Sequence, residues 1–267
     1  MTSNGDTGKS YHLQCTGDAL HTVDVHSAPA DVTLFGGCFC PFVQRVWAAL
    51  EYTSMGYQVD PYKKPAELLE ISPKGLVPAL KFSSGDRPRS LNESTVILEY
   101  IQESSLLPPA TEAYARALIR LQADHVNRNL VPAFYRYLQA QESEKQIEGG
   151  KDFVAAIEDL VKLFERTYAE TDTDVGLWTG SDKLSLADIM AAPWLFRATN
   201  VLLHYRGFSL PEGGKFNAYI TRLCNHPAFK RTCSTEELYF ESYERYAYNR
   251  PNTSQVANAI NSGRALP

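Results

Sequence analysis

The chain has 267 residues, a 44% apolar content and a net charge of −5, enough to bury the core of one large or two modest domains without disulfide staples. No Lys/Arg cluster stands out and the pI is about 5.7, which argues against nucleic acid or an anionic membrane as partner. The longest apolar runs, such as Ile189 to Leu195, are too short for the roughly 20 residues that span a bilayer.

Residues 1–30 carry Ser, Thr, Gly, Asp and His, without a secretory apolar stretch or the basic residues of a transit peptide, and read as a poorly ordered N-terminal arm. From Asp31 the pattern is a strand (Val32 to Phe35), two glycines, then a helix from Pro41 to about Ser54 with Val43, Val46, Trp47 and Leu50 on one face. Tyr57 to Val59 reads as a short strand and Pro65 to Glu70 as a short helix. Ser72 to Phe82 is a turn feeding a strand, Ser83-Ser84-Gly85-Asp86 a hairpin turn, and Ser90-Leu91 the start of the returning strand. Glu93-Ser94 opens a helix through Val96, Ile97, Tyr100 and Ile101. This β-α-β-α-β-β-α order is the layout of a small thioredoxin-like sheet covered by helices.

Residues 104–111, with two prolines, read as a linker. Helical periodicity then dominates over Glu112 to Gln139, Asp152 to Glu170, Ser185 to Tyr205 and Lys215 to Asn225, with Gly149-Gly150 and later glycines as punctuation. Ser185 followed three residues later by Asp188 is a capping box that nucleates a buried helix. The expected architecture is an α/β domain over 31–103 followed by an all-α domain over 112–235. Residues 236–267 form a C-terminal extension, dense in tyrosine to Tyr248, a stretch that either closes over a binding pocket or only covers apolar surface, and polar and frayed from Pro251 to Pro267.

Cys40 directly precedes the helix-starting Pro41, where unpaired backbone N–H groups and the positive end of the helix dipole favour thiolate over thiol. Cys38 lies only two positions away, where a disulfide to Cys40 would be strained, so it reads as a partly buried bystander. Cys15, Cys224 and Cys233 are expected in the arm or on helical surfaces. The five cysteines show neither a disulfide framework nor the paired spacing of a metal site, which fits a reducing cytosol and no metal.

Phe39-Cys40-Pro41-Phe42 with Gln44-Arg45, Lys64-Pro65, Gly75-Leu76-Val77-Pro78 and Glu93-Ser94 occur in an order and spacing that resembles the cytosolic glutathione transferases. The likeness is to their cysteine-type classes, omega and the related lambda and dehydroascorbate-reductase classes. Ser185-Leu186-Ala187-Asp188-Ile189 and His226-Pro227-Ala228-Phe229 extend it over roughly residues 31 to 230. The resemblance implies a thioredoxin-like domain followed by a helical bundle, glutathione as co-substrate, a cytoplasmic location and a homodimer. Cys40 would be the catalytic nucleophile, and Phe42, Lys64, Val77, Pro78, Glu93 and Ser94 would bind glutathione. Lys63 stands beside Lys64 as an alternative.

A cis bond at Val77-Pro78, as family members share, would leave the Val77 backbone N–H and C=O free to pair with the cysteinyl part of glutathione as with an added strand. Glu93-Ser94 would seat the γ-glutamyl end. Aromatic and charged residues of the second domain are expected at the second-substrate pocket: Tyr135, Trp194 and Arg197, with Phe39 from the first domain. The implied reaction is glutathione-dependent thiol transfer on a small electrophilic, disulfide or glutathionylated substrate, with dehydroascorbate reduction in the same repertoire. The alternative is a non-catalytic, ligandin-type carrier of aromatic compounds between the domains.

Overall fold

In a computed structural model of the chain, residues 12–61, 66–101 and 105–267 are described. The first half is built on four strands, β1 (Val32–Gly36), β2 (Gln58–Pro61), β3 (Ala79–Phe82) and β4 (Arg89–Asn92), in the order β2-β1-β3-β4. β1 pairs parallel to β2, with Leu34 opposite Val59, and antiparallel to β3, with Leu34 opposite Leu80. Side chains alternate between faces along a strand. Val32 and Leu34 therefore join the main core, while Phe35 packs on the other face with Leu68 and Ala79. The helices of this half are α1 (Gly17–Val25), α2 (Pro41–Thr53), α3 (Ala66–Ile71) and α4 (Ser94–Ile101). Gly36 ends β1 where an added Cβ would lie 2.6 Å from Val43 Cγ1, so the missing side chain lets the strand end run directly against the first turn of α2.

α5 (Ala113–His125) and α6 (Val131–Gln139) form one rod joined by a π-turn at Val126–Leu130, next to Pro132, whose ring nitrogen has no proton for a regular helical bond. α7 (Ser143–Thr171) begins nine residues before the periodic segment first read as its start and runs through Gly149-Gly150. Those glycines are contacts rather than punctuation: a Cβ at Gly149 would sit 3.0 Å from Tyr137 Cα on α6. A 3-10 turn at Gly176–Thr179 leads to α8 (Leu186–Arg197), whose residues other than Phe196 are all buried. After a π-turn at Ala198–Leu202 come α9 (Leu203–Arg206), α10 (Gly214–Asn225), α11 (Pro227–Lys230), α12 (Glu236–Ala247) and α13 (Gln255–Asn261).

Both ends of the chain differ from the sequence reading. Part of the supposed arm is α1, docked on the turn before α12: Ala19 N donates to Cys233 O at 3.0 Å and Thr22 Oγ1 to Arg231 O at 2.8 Å. Cys15 is buried beside it. The supposed frayed tip contains α13, capped by Ser254 Oγ on Ala257 N and held to α6, with Gln139 Nε2 donating to Ala257 O at 3.3 Å. These long-range bonds supply order that composition does not predict. Among the described residues, no helix is long and apolar enough to cross a membrane.

Candidate active site

Cys40 occupies the N-cap of α2, its N–H donating to Gly37 O and its C=O accepting from Gln44 N, both at 3.0 Å. Pro41 follows at the first helical position, where a missing N–H costs nothing. The backbone N–H groups of Phe42 and Val43 draw the Cys40 thiol down without making a side-chain cap bond, and its sulfur lies 4.0 Å from Val77 O. Val77-Pro78 is a cis bond. Glu93 takes the left-handed conformation, φ 67°, in the turn from β4 to α4, and Ser94 opens α4. For a residue with a side chain this conformation costs about 1–2 kcal/mol, the kind of cost that clusters at sites where geometry is imposed.

These parts face one cavity of about 460 Å³. Phe39, Cys40 and Phe42, then Val77 and Pro78, then Glu93 and Ser94 form its first-half wall. Tyr135 of α6 with Tyr243 and Tyr246 of α12 forms an aromatic wall opposite, and residues 252–256 and Asn258 complete the rim. The Tyr135 and Tyr246 rings stand 5.6 Å apart, and those of Tyr243 and Tyr246 5.4 Å. The tyrosine-dense segment thus closes over the pocket, one of its two expected roles, but Tyr243 and Tyr246 were not singled out because nothing local says which face the segment buries, and the α13 region was missed. Lys74 also lines the cavity. It sits in a Ser-Pro-Lys-Gly turn, which masks a functional reading. Lys64 and Lys63 lie outside the described residues.

Two expected pocket residues are not there. Trp194 is fully buried beneath Phe42, edge to face at 5.0 Å, with the Arg45 guanidinium 4.4 Å over its ring. Arg197 is also fully buried. Its Nη1 donates to Gln44 Oε1 at 2.6 Å and Pro193 O at 2.9 Å, and Nη2 donates to Phe39 O at 3.0 Å, while the Tyr239 and Tyr243 rings cover it. α12 supplies both rings and turns what a two-domain reading leaves open into core. Arg197 therefore positions the Phe39-Cys40 peptide from behind. Arg45, buried likewise, donates to Asn127 Oδ1 at 3.0 Å and to Ser94 Oγ at 3.4 Å, which ties α2 to the start of α4.

The electrostatics of Cys40 are a balance of opposed effects. Burial pushes the thiol up, while the N–H groups of Val43 and Phe42 and the Arg197 and Arg45 guanidiniums pull it down. Burial is the larger effect, so the pull of the helix tip does not by itself bring the Cys40 thiol below its ordinary value. Replacing Arg197 with Met is expected to leave the Gln44, Phe39 and Pro193 oxygens without their donor. Unfolding in urea should show a loss of at least about 2 kcal/mol, and alkylation of Cys40 at neutral pH should slow because a nearby cation is gone. A variant unchanged in both would remove Arg197 from this role.

No group of three or more metal-ligating side chains that could hold an ion occurs among the described residues. Two family models match the chain: "Glutathione S-transferase, N-terminal domain" over residues 39–104 and "Glutathione S-transferase, C-terminal domain" over 140–222. The crystal structure of glutathione transferase Omega 3C from Trametes versicolor superposes with a TM-score of 0.73 at 36% identity, covering 88% of this chain and 98% of that one. Glutathione S-transferase DHAR3, chloroplastic, from Arabidopsis thaliana is 27% identical over 204 residues, 74% of this chain and 71% of that protein. Glutathione S-transferase omega-1 from Sus scrofa is 28% identical over 166 residues, 60% of this chain and 64% of that protein.

Proposed function

The chain belongs to the glutathione S-transferase family, and we propose that it is an omega-like, glutathione-dependent thiol transferase working through a mixed disulfide on Cys40. The observation that carries this reading is the cysteine at the N-cap of α2, inside a cavity that also presents the Val77 backbone and the Glu93-Ser94 turn. The family uses glutathione as co-substrate. Its cysteinyl backbone fits the Val77 N–H and C=O beside the Cys40 sulfur, with Pro78 and Phe42 as apolar contacts. Its γ-glutamyl group carries an ammonium for the Glu93 carboxylate and a carboxylate for the Ser94 end of α4. Lys74 is the described cation placed to meet the glycyl carboxylate, with Lys64 the candidate from sequence.

In the forward direction Cys40 thiolate attacks the glutathione sulfur of a glutathionylated substrate. The new S–S bond forms on Cys40 and the substrate thiolate leaves to take a proton. A second glutathione thiolate then attacks the mixed disulfide, releasing oxidised glutathione and restoring Cys40. The substrate body would lie against Phe39, Tyr135, Tyr243 and Tyr246, which suits an apolar or aromatic group. Reduction of dehydroascorbate by glutathione belongs to the same proposal, supported by the dehydroascorbate-reductase relatives. A cytoplasmic location fits five free thiols. A homodimer fits the exposed Leu69, Val96 and Tyr100 on α3 and α4.

The aromatic wall also favours a second reading, a binding protein for aromatic compounds. Incubation with oxidised glutathione separates the two. Thiol transfer requires an adduct of about 305 Da placed on Cys40 by sequencing of tryptic fragment 10–45, which also contains Cys15 and Cys38. Absence of that adduct, together with tight ligand binding by fluorescence that ignores substitution at Cys40, would leave the carrier reading.

A further inference from the structure

A second pair of sulfurs lies behind the catalytic turn. Thr16 is tied to the segment before α12, its N–H donating to Ser234 Oγ at 3.2 Å and its Oγ1 accepting from Thr235 N at 3.0 Å. With α1 docked alongside, this fixes the preceding residue, Cys15, in a buried position. Cys38 comes to the same place from the β1–α2 turn, its sulfur donating to His12 O at 3.0 Å. Both cysteines line one small apolar cleft with Leu13, Leu34 and Trp47, where each thiol shifts the titration of the other. Neither lines the Cys40 cavity.

The two thiols differ in chemistry as well as exposure. The neighbouring Cys15 thiol and backbone N–H groups hold the Cys38 thiol below its ordinary value, whereas the Cys15 thiol is pushed up by its Cys38 neighbour and by burial. Cys38 is also the more exposed of the two. An incoming disulfide therefore meets the better nucleophile first, and the resolving thiol lies in the same cleft, held there by the hydrogen bonds of Thr16 and α1.

We propose that Cys15 and Cys38 form a second redox site, a dithiol that closes to an intramolecular disulfide by exchange with small disulfides such as oxidised glutathione. Cys38 thiolate attacks one sulfur of the small disulfide, forming a mixed disulfide and releasing one thiolate. Cys15, giving up its proton, attacks the Cys38 sulfur and expels the second thiolate. The protein thus loses two thiol protons and two electrons, and the small disulfide becomes two thiols. The bond joins the segment entering α1 to the turn that carries Cys40, whose own thiol is not consumed.

The full chain carrying Cys40→Ser isolates the pair, since Cys224 and Cys233 fall in other fragments. After incubation with oxidised glutathione and blocking of remaining thiols without reductant, a protease cutting before aspartate yields fragments 6–17 and 31–59, bearing Cys15 and Cys38. The expected result is these two fragments joined, with the intact mass lower by about 2 Da. With Cys15→Ala added, exchange should stop at a stable adduct of about 305 Da on Cys38. Unlinked fragments from the folded Cys40→Ser chain, a lasting Cys38 adduct while Cys15 is present, or linkage only after denaturation in urea would each overturn the proposal. None of these outcomes depends on Cys40, so the pair can fail while the thiol-transferase reading stands, and the reverse.

Discussion

Replacing Cys40 with Ser should abolish glutathione-dependent disulfide reduction, lowering kcat/KM by at least about a thousandfold, while the folded protein keeps its stability. A hydroxyl cannot form the mixed disulfide through which the reaction passes, so no slower version of the same route remains. Stability is expected to hold because Cys40 makes no side-chain cap bond at the N-terminus of α2, where serine is a favoured residue. Loss of activity without loss of thermal midpoint is therefore the discriminating pair of measurements. A Cys40→Ser chain that turns over normally would end the nucleophile assignment, and one that unfolds would make Cys40 structural. In Cys40→Ala the donors left at the helix tip are free to favour the thiolate of glutathione itself. Weak addition to an aryl halide is then expected from a variant that has lost disulfide exchange.

The balance of burial against N–H groups and guanidiniums sets the pH dependence of the native enzyme. Because burial pushes the Cys40 thiol above its ordinary value, kcat/KM for a small disulfide should keep climbing with pH through the neutral range. A plateau already reached at pH 6 would mean that the donors outweigh burial in the working enzyme.

Features encoded over a few consecutive residues were legible in the sequence itself. Cys40-Pro41 specifies a helix start because proline and the cap act within one turn, and Ser185 with Asp188 specifies another for the same reason. The alternation in β1 and the order of strands and helices were equally plain, so the thioredoxin-like sheet and its helical partner followed. What escaped depends on contacts between distant segments. Arg197 reads as a pocket cation until α12 lays Tyr239 and Tyr243 over it. Gly149 reads as a break until Tyr137 Cα is placed 3.0 Å from where its Cβ would be. α1 and α13 are polar and weakly patterned, and each is held by hydrogen bonds to partners over a hundred residues away.

Asp188 is where a single side chain is expected to matter most for stability. Its carboxylate is fully buried, with Oδ2 accepting from Ser185 N at 2.8 Å, Ser185 Oγ at 2.9 Å and Leu177 N at 3.5 Å, and Oδ1 accepting from Tyr219 OH at 2.9 Å. Gly176, at φ +58°, is required beside it, because a Cβ there would collide with Oδ2. One group thus joins the 3-10 turn, α8 and α10, and goes well beyond capping. Asp188→Ala leaves these buried donors without an acceptor, and a loss of at least about 3 kcal/mol, or roughly 10 °C in Tm, is expected. Burial also raises the Asp188 carboxyl from 3.8 to about 6. Between those values the native state binds more protons than the unfolded one. The stability this shift contributes is therefore full below pH 3.8 and lost as pH rises through about 6, on the order of 3 kcal/mol. Asp188→Asn cannot titrate, so its cost relative to the native chain should be greater at pH 4 than at pH 7. Equal costs at both, measured by urea unfolding, would show that the four donors already offset the burial of the charge.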